Sequence, residues 1–192
     1  MSGSSDRSVQ GPSLTEQPLD FRPLDASCRR EGFGCGFREI DTWFRKSAAK
    51  CHDAFKSRVT TAHFVGNPSP VGFYSVRIAI EEEALLDRSD RQSMRAERKA
   101  FTSLQLEYIA VQRAVQNMGL GQQVLIHAVN AFHDVVLSTG IVAMTLIAAN
   151  DRAVRFYDRL GFRGYGPPGC RRMLLPALTV VEMRRRLAPS ED

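Results

Sequence analysis

The stretch VQNMGLGQQVLIHAV, residues 115–129, places two glycines at the start of an apolar helical pattern. After Gly119 the apolar residues recur every three or four positions, which predicts an amphipathic helix with one buried face. The first N–H groups of a helix have no partner inside it and lie at the positive end of its dipole. Because Gly119 and Gly121 carry no side chain, a pyrophosphate would reach these groups, and the turn predicts an anion site.

Two common phosphate-binding motifs do not fit this turn. The dinucleotide fingerprint needs a third glycine where this chain has Val124, and the strand before the turn comes late in the chain, after a hairpin. The P-loop needs a Gly-Lys-Ser/Thr sequence, which is absent. Glycines placed for capping or close packing explain the pair equally well, so the turn alone does not decide between these alternatives.

The segments around the turn predict a parallel strand–helix–strand unit. LQLEYIAV, residues 104–111, is typical of a strand, and GIVAMTLIAAN, residues 140–150, is apolar almost throughout, like a strand buried on both faces. A strand, a helix and a buried strand in succession give parallel strands with a right-handed crossover. DRAVRFYDRL, residues 151–160, then predicts a short helix that is ended by Gly161.

The first half of the chain predicts antiparallel strands, which makes the expected class mixed α/β. PLDFRPL is expected to be the first strand, and TAHFV with VGFYSVRIAI to be a hairpin around GNPSP. Near the C-terminus, ALTVVEMRRR, residues 177–186, is the last strand candidate. Between the first strand and the hairpin, one amphipathic helix is expected from the apolar stripe Ile40, Trp43, Phe44, Ala48, Cys51 and Phe55.

With 192 residues, 43% hydrophobic and 24% charged, the chain has the composition of one globular domain. We expect residues 1–17 to be a disordered polar leader and residues 18–188 to be the domain. Residues 81–103 are expected to be a charged insertion, either an exposed helix or a mobile segment. The longest apolar run is too short to cross a bilayer and no targeting segment is recognised, so the expected location is the cytoplasm.

The cysteine, histidine and charge patterns indicate which ligands and partners to expect. The four cysteines form no C-x-x-C pair and the four histidines are scattered, so no metal is expected. The net charge of +5 favours anionic partners. For any single basic run, however, a solvated basic face is the simpler interpretation.

Two motifs together resemble the GNAT superfamily of acyl-CoA N-acyltransferases. In that family a strand precedes a Q/R-x-x-G-x-G/A loop that opens a helix, and this chain has Gln116, Gly119 and Gly121 at those positions. After the next strand the family has an N-x-x-A-x-x-x-Y-x-x-x-G-F segment, matched by NDRAVRFYDRLGF, residues 150–162. The resemblance implies a GNAT-like fold: a central, mostly antiparallel sheet with one parallel βαβ unit and helices on both faces.

The resemblance also implies acetyl-CoA as cosubstrate and roles for individual residues. Asn150 would bond the pantetheine arm, and Tyr157 would protonate the departing thiolate. A free phenol has a pKa of about 10 and a thiol one of about 8.5, so the proton need move only as charge grows on sulfur. A core aromatic is the alternative for Tyr157. The pantetheine arm would pair with Ile109, Ala110 and Val111, and the pyrophosphate would contact the backbone of Gln116, Asn117, Met118, Gly119, Leu120 and Gly121.

The acceptor amine must be neutral to attack. A lysine needs a general base, whereas an α-amino group, with a pKa of about 7.7–8.0, is already partly neutral. Glu107 and His63 are the candidate bases. An exposed strand position for Glu107 and a structural role for His63 are the simpler interpretations. An α-amino group is therefore the easier substrate.

A narrower resemblance points to the same kind of amine. The chain is similar to GNAT toxins of bacterial toxin–antitoxin modules in the order of several segments. These are DTWFRKSA, TTAHFV, VGFYSV, a charged segment and LEYIAV, with RRMLLP near the end. Those toxins acetylate the α-amino group of aminoacyl-tRNA, so the resemblance implies tRNA as substrate and an antitoxin as partner. The residues that would hold tRNA phosphates are Arg171, Arg172, Arg184, Arg185 and Arg186.

Two other functions remain open from the sequence. The same chemistry could serve a small amine or a protein amino group, and a GNAT-like module could bind CoA without turnover. No membrane partner is expected. The sequence does not fix the oligomeric state, with a homodimer among the alternatives.

Overall fold

The computed structural model describes residues 18–94 and 99–187; residues 1–17, the predicted leader, lie outside the described residues, as do residues 95–98 and 188–192. The strands are β1 (Leu19–Pro23), β2 (Arg58–Phe64), β3 (Gly72–Glu82), β4 (Ala100–Val111), β5 (Ala143–Ile147), β6 (Arg163–Gly164) and β7 (Arg172–Pro176). The helices are α1 (Arg38–Lys46), α2 (Ala48–Asp53), α3 (Arg88–Ser93), α4 (Leu120–Thr139), α5 (Asp151–Asp158) and α6 (Ala177–Leu187), with short 3₁₀ turns at Glu83–Leu85 and Arg113–Val115. None of the helices so described has the length and apolar character that crossing a membrane requires.

The strands form one sheet in the order β1-β2-β3-β4-β5-β7-β6. Neighbouring strands of the described sheet are antiparallel except β4 and β5, which are parallel and are joined through α4. The predicted first strand, the β2–β3 hairpin and the parallel unit are all present. The mixed α/β class, mostly antiparallel with one βαβ unit, is therefore confirmed.

Helices cover both faces of the sheet. Successive residues of a strand point to opposite faces. On β3, Phe73 packs into a cluster with Phe44 of α1 and Ala48 of α2, whereas Tyr74 packs into the larger cluster beneath α4. On that second face α4 buries Leu120, Val124, Leu125, Ala128 and Phe132.

The two parallel strands separate towards their C-terminal ends. β4 and β5 are paired only where residues 103–105 lie beside residues 143–145, although β4 continues to Val111. A bulge next to Ser75 and Val76 leaves Glu107 of β4 without a cross-strand partner, and bulges bend the strand that carries them. Beyond residue 105, the β5-facing edge of β4 has no strand partner within the described residues.

Two predicted elements are wrong. Residues 177–186 form helix α6 and not a strand, because β7 ends at Pro176 and the residues after it bury Ala177 and Val180 at helical spacing. The single helix expected from Ile40 to Phe55 is two helices, α1 and α2, which meet at Ser47. Phe55 lies beyond them with a φ of 55° and a side chain that is 81% exposed, so it is not part of the buried stripe.

Of the charged segment at residues 81–103, the structure describes residues 81–94 and 99–103, which include the mostly exposed helix α3 and the ends of β3 and β4. Asp87 caps α3, since its Oδ1 accepts from the N–H of Asp90 at 2.7 Å. The segment also buries apolar side chains that are widely spaced among charges, which is why the sequence pattern concealed them. Leu86, Met94 and Phe101 of the segment form a third cluster with three residues from other parts of the chain, Ala143, Tyr165 and Leu174.

Candidate active site

A turn with two left-handed residues opens helix α4. Asn117 has a φ of 63° and Gly119, the N-cap, a φ of 78°, a region that favours glycine and asparagine. The carbonyl of Gly119 accepts from the N–H of Gln122 at 3.1 Å. No group among the described residues accepts from the N–H of Gly119, Leu120 or Gly121. Three donors are thus available at the positive end of a 20-residue helix.

A cleft of about 510 Å³ is formed by this turn and by helix α5. Arg152 joins the two elements, because its Nη2 donates to Oδ1 of Asn117 at 3.0 Å. Two exposed guanidinium groups beside unpaired N–H groups create a positive potential that suits phosphates. The lining residues are Asn117, Gly119, Gly121, Gln122, Arg152, Phe156, Arg159 and Leu160.

The end of β4 reaches the glycine turn. A Cβ placed on Gly121 would lie 3.8 Å from Cγ2 of Val111, an ordinary contact, so packing within the protein does not demand a glycine there. Ile109, Ala110 and Val111 are the last three residues of β4, on the edge that β5 has left. Unpaired backbone at a strand edge is a template for an extended ligand chain. The predicted pyrophosphate and pantetheine contacts therefore lie next to each other.

Tyr157 lies in the core beside the cleft. It directly follows Phe156 of the cleft lining, and 8% of it is exposed. Its ring packs against Phe156 and Phe162, with centroids 5.2 and 5.7 Å away. Burial raises the pKa of the Tyr157 phenol above its ordinary value, because a phenolate would lose its hydration. The phenol therefore keeps its proton at neutral pH. A protonated phenol is compatible with both interpretations of Tyr157, the proton donor and the core aromatic.

Asn150 begins the helix that carries Tyr157. Its side-chain Oδ1 accepts from the N–H of Ala153 at 2.9 Å, so it is the N-cap of α5. Its side-chain NH₂ has no acceptor within the described residues. The predicted bond to pantetheine would come from that NH₂ group.

The side chain of Gln116 is used inside the protein. Its Nε2 donates to the carbonyls of Cys35 and Val111, at 2.8 and 3.0 Å. These bonds fix the glycine turn on the end of β4. The side chains of Met118 and Leu120 pack into the core. For all three of these predicted pyrophosphate-binding residues, only the backbone remains for a ligand.

The two candidate bases differ in their access to solvent. Glu107 accepts from the hydroxyl of Ser75 at 3.2 Å and pairs with Arg77 at 3.1 Å, and its side chain is 23% exposed. His63 is fully buried, bonds the hydroxyl of Thr61 at 2.9 Å, and has a pKa lowered by burial. His63 is therefore a structural residue. No group of His, Cys, Asp and Glu side chains in the described part of the chain is placed to hold a metal ion.

The arginines predicted to contact tRNA have different surroundings. Arg172 donates to Oε2 of Glu81 at 3.0 Å, and the Glu81 side chain is only 8% exposed. Arg172 thus neutralises a carboxylate that is largely buried, and its own side chain is 32% exposed. Arg171 is exposed and pairs with the exposed Asp151 at 3.0 Å. The exposed last turn of α6 carries Arg184, Arg185 and Arg186.

Sequence reasoning missed Arg152 and Arg159 as cleft residues. They are seven positions apart on the chain, with Phe156 between them at four, so all three share one side of α5 and the turn that follows it. A helix-face argument applied to the segment NDRAVRFYDRLGF would have found them. The motif drew attention to its asparagine, tyrosine and glycine instead.

Comparison with known domain families gives one match. The acetyltransferase (GNAT) domain matches residues 61–164. The matched range includes β3, β4, the glycine turn, α4, β5 and α5. No curated protein matches the chain.

Several solved structures are similar in fold. A tyrosine-to-phenylalanine mutant of KacT has a TM-score of 0.80 at 20% identity, over 87% of this chain and 99% of that chain. AtaT complexed with acetyl-methionyl-tRNAfMet has a TM-score of 0.79 at 22% identity, over 87% of this chain and 99% of that chain. Another similar structure is a tyrosine-to-phenylalanine mutant of the AtaT toxin, bound to the C-terminus of the antitoxin AtaR and acetyl-CoA. It has a TM-score of 0.73 at 20% identity, over 86% of this chain and 98% of that chain. At these identities the likeness shows the fold.

Proposed function

Since this chain belongs to the GNAT family of acetyltransferases, we propose that it transfers the acetyl group of acetyl-CoA to the α-amino group of an aminoacyl-tRNA. The observation that carries the proposal is the junction of three features: the glycine turn, the unpaired end of β4, and buried Tyr157. Anion donors, an edge for an extended chain and a protonated phenol all lie together there. An antitoxin partner, as in toxin–antitoxin modules, belongs to the same proposal.

The residues at the junction fit the chemistry of acetyl-CoA. The three free N–H groups of Gly119, Leu120 and Gly121 suit a pyrophosphate. Gly121 has room for a Cβ within the protein, so its missing side chain serves a ligand and not internal packing. Arg152 and Arg159 add positive charge at the outer part of the cleft, where further phosphate would lie.

The chain's own residues bind, orient and supply a proton. When bound, acetyl-CoA supplies an activated thioester. The edge of β4 from Ile109 to Val111 aligns the pantetheine arm, and the side-chain NH₂ of Asn150 bonds it. Tyr157 holds a proton on its phenol oxygen, available to the departing sulfur. Some of the similar structures are tyrosine-to-phenylalanine mutants, which supports a functional role for a tyrosine in this proposal.

The acceptor proposal rests on the surroundings of the two candidate bases, Glu107 and His63. Of these two, Glu107 has solvent access and is paired with Arg77, whereas His63 is fully buried. An α-amino group with a pKa of about 7.7–8.0 is partly neutral without such a base. The exposed arginines of α6 suit tRNA phosphates. The complex of AtaT with acetyl-methionyl-tRNAfMet, similar in fold, supports the same substrate class.

Acetyl transfer at two salt concentrations tests the proposal. The purified chain would be incubated with acetyl-CoA and either aminoacyl-tRNA or an amino-acid amide. We expect transfer to aminoacyl-tRNA with a kcat/KM that falls steeply between about 50 and about 200 mM salt, because phosphate contacts release counterions. Equal transfer to the amide, without salt dependence, contradicts the tRNA acceptor but leaves the acetyltransferase intact.

Two alternatives remain distinguishable. Transfer to a small amine or a protein amino group, with none to aminoacyl-tRNA, identifies a housekeeping enzyme. Binding of CoA without transfer to any amine identifies a non-catalytic module. Growth arrest on induction that Tyr157→Phe relieves supports a toxin over either of these.

A further inference from the structure

The gap where β4 and β5 separate is open to solvent on the face of the sheet that carries α1. Leu146 and Ala148 are buried in the cluster beneath α4. The residue between them, Ile147, is the last residue of β5 and therefore points to the α1 face, where 58% of it is exposed. Under the proposed function, an acceptor amine thus reaches the thioester from the α1 face.

A bulge in β4 directs two consecutive side chains to the α1 face. The β3–β4 register shifts after Ser75, which lies beside Tyr108. Glu107 accepts from the hydroxyl of Ser75 at 3.2 Å, and the Tyr108 ring packs against α1. In a regular strand, one of these two side chains would point to the α4 face instead. Tyr108 is also the residue before Ile109, where the proposed contact of β4 with pantetheine begins.

Tyr108 and Trp43 of α1 form an aromatic patch beside the end of β4. Their ring centroids lie 4.3 Å apart, and both side chains are only partly buried. Behind them Phe73 and Phe44 are fully buried and stacked at 3.9 Å, and the Trp43 ring lies 6.1 Å from that of Phe73. The hydroxyl of Tyr108 bonds no other group within the described residues. The patch is therefore held in place from behind and keeps aromatic surface for a ligand.

Two carboxylates lie near the aromatic patch. Burial raises the pKa of the Tyr108 phenol, and the negative charges of Glu107 and Glu39 raise it further. Glu107 is paired with Arg77 at 3.1 Å, whereas the exposed Glu39 has no ion-pair partner in the described part of the chain. These carboxylates would repel an acidic side chain placed on the patch, but not an uncharged one.

We propose that the aromatic patch selects the amino-acid side chain of the acceptor, favouring a large apolar or aromatic residue over glycine and over acidic residues. The inference rests on the proposed function. The side chain is attached to the carbon that carries the reacting nitrogen, so it lies beside the reaction site, next to Tyr108. The terminal adenosine is farther away, because an ester and a ribose separate it from that nitrogen. A large side chain would bury apolar surface on the patch, whereas glycine has none to bury.

Acetylation of one tRNA charged with phenylalanine, methionine, glycine or aspartate tests the selection, because the tRNA body stays constant. We expect kcat/KM for the phenylalanyl and methionyl forms to exceed that for the glycyl form by at least about tenfold. The aspartyl form should be the poorest substrate. Equal kcat/KM for all the charged forms overturns this inference but leaves the proposed function intact, whereas no transfer to any of them overturns both.

Substitution of Tyr108 links the selection to the patch. Tyr108→Ala should lower kcat/KM about three- to tenfold for the phenylalanyl form and less than about twofold for the glycyl form. Tyr108→Phe should keep the selection, because the ring remains. The control Phe55→Ala removes an exposed ring beyond α2 and should change neither value. An equal loss for both forms, in a Tyr108→Ala variant with unchanged circular dichroism, overturns the inference, since the ring would then serve the terminal adenosine or another part common to both.

Discussion

Arg152 and Asn117 lie 35 residues apart in the chain, yet Nη2 of the arginine donates to Oδ1 of the asparagine at 3.0 Å. The bond joins the helix that carries Tyr157 to the turn that opens α4. Asn117 holds a φ of 63°, which an asparagine tolerates better than most residues. The two sequence motifs are thus physically connected at the mouth of the cleft.

Arg152→Ala should weaken acetyl-CoA binding about three- to tenfold, since it removes a cation from the cleft and frees Asn117. Calorimetric titration would measure the change in Kd. Arg155→Ala is the matched control, because Arg155 is an exposed arginine of α5 that does not line the cleft. Equal losses for both variants would mean that general charge, and not this position, governs binding.

Gly121→Val should raise the Kd for acetyl-CoA by at least about tenfold, because a branched side chain would stand between the ligand and the free N–H groups. The fold should survive, since a Cβ at this position meets Val111 only at 3.8 Å. Circular dichroism would verify folding before the titration. A folded variant with unchanged affinity would argue against the anion site.

Tyr157→Phe should lower kcat about 10²- to 10⁴-fold while the Kd for acetyl-CoA stays the same, because only the proton donor is lost. Single-turnover acetyl transfer measures the rate without product release. Phe162→Leu, a change in the aromatic packing around the ring, is the control for a purely structural effect. Full retention of the rate in Tyr157→Phe would make Tyr157 a core aromatic.

Replacing Arg184, Arg185 and Arg186 together by alanine should lower kcat/KM for aminoacyl-tRNA and flatten its salt dependence. Three phosphate contacts account for a loss of roughly 20- to 40-fold between about 50 and about 200 mM salt. Acetylation of an amino-acid amide serves as the internal control and should not change. If both acceptors respond alike, α6 acts on the fold and not on tRNA.

Stability should fall on acidification below about pH 6.5. Burial lowers the pKa of His52, His63 and His127 in the folded chain. The positive charge of Arg58 lowers the pKa of His52 further, and that of Arg22 lowers the pKa of His63 further. The unfolded chain binds protons first, so this stability is present above the ordinary histidine pKa and is lost as pH falls through it towards the folded values. Thermal melting should give a Tm at pH 5.5 at least about 3 °C below that at pH 7.5. An equal or higher Tm at pH 5.5 contradicts this expectation.

The central part of the fold was predictable because its patterns are long and consistent. β5 is apolar almost throughout, and α4 repeats its apolar residues over five turns, so the parallel unit follows from periodicity. The glycines and the NDRAVRFYDRLGF segment then placed the candidate site. Residues whose role depends on local chain geometry, such as Gly119, were the easiest to find.

The remainder depended on contacts that no local pattern contains. Helix α6 carries β-branched Thr179, Val180 and Val181, residue types that are frequent in strands, but β7 ends at Pro176 and a helix follows it. Arg172 belongs to a run of basic residues, but its bond to Glu81 spans 91 positions. Tertiary partners of this kind decide whether a charge is free, and a sequence does not show them.

A crystal structure with bound coenzyme A is the most direct test of the main claim. The account predicts diphosphate oxygens within about 3.2 Å of the amide nitrogens of Gly119, Leu120 and Gly121, and the thiol near the hydroxyl of Tyr157. Coenzyme A bound away from the N-terminus of α4 would contradict it.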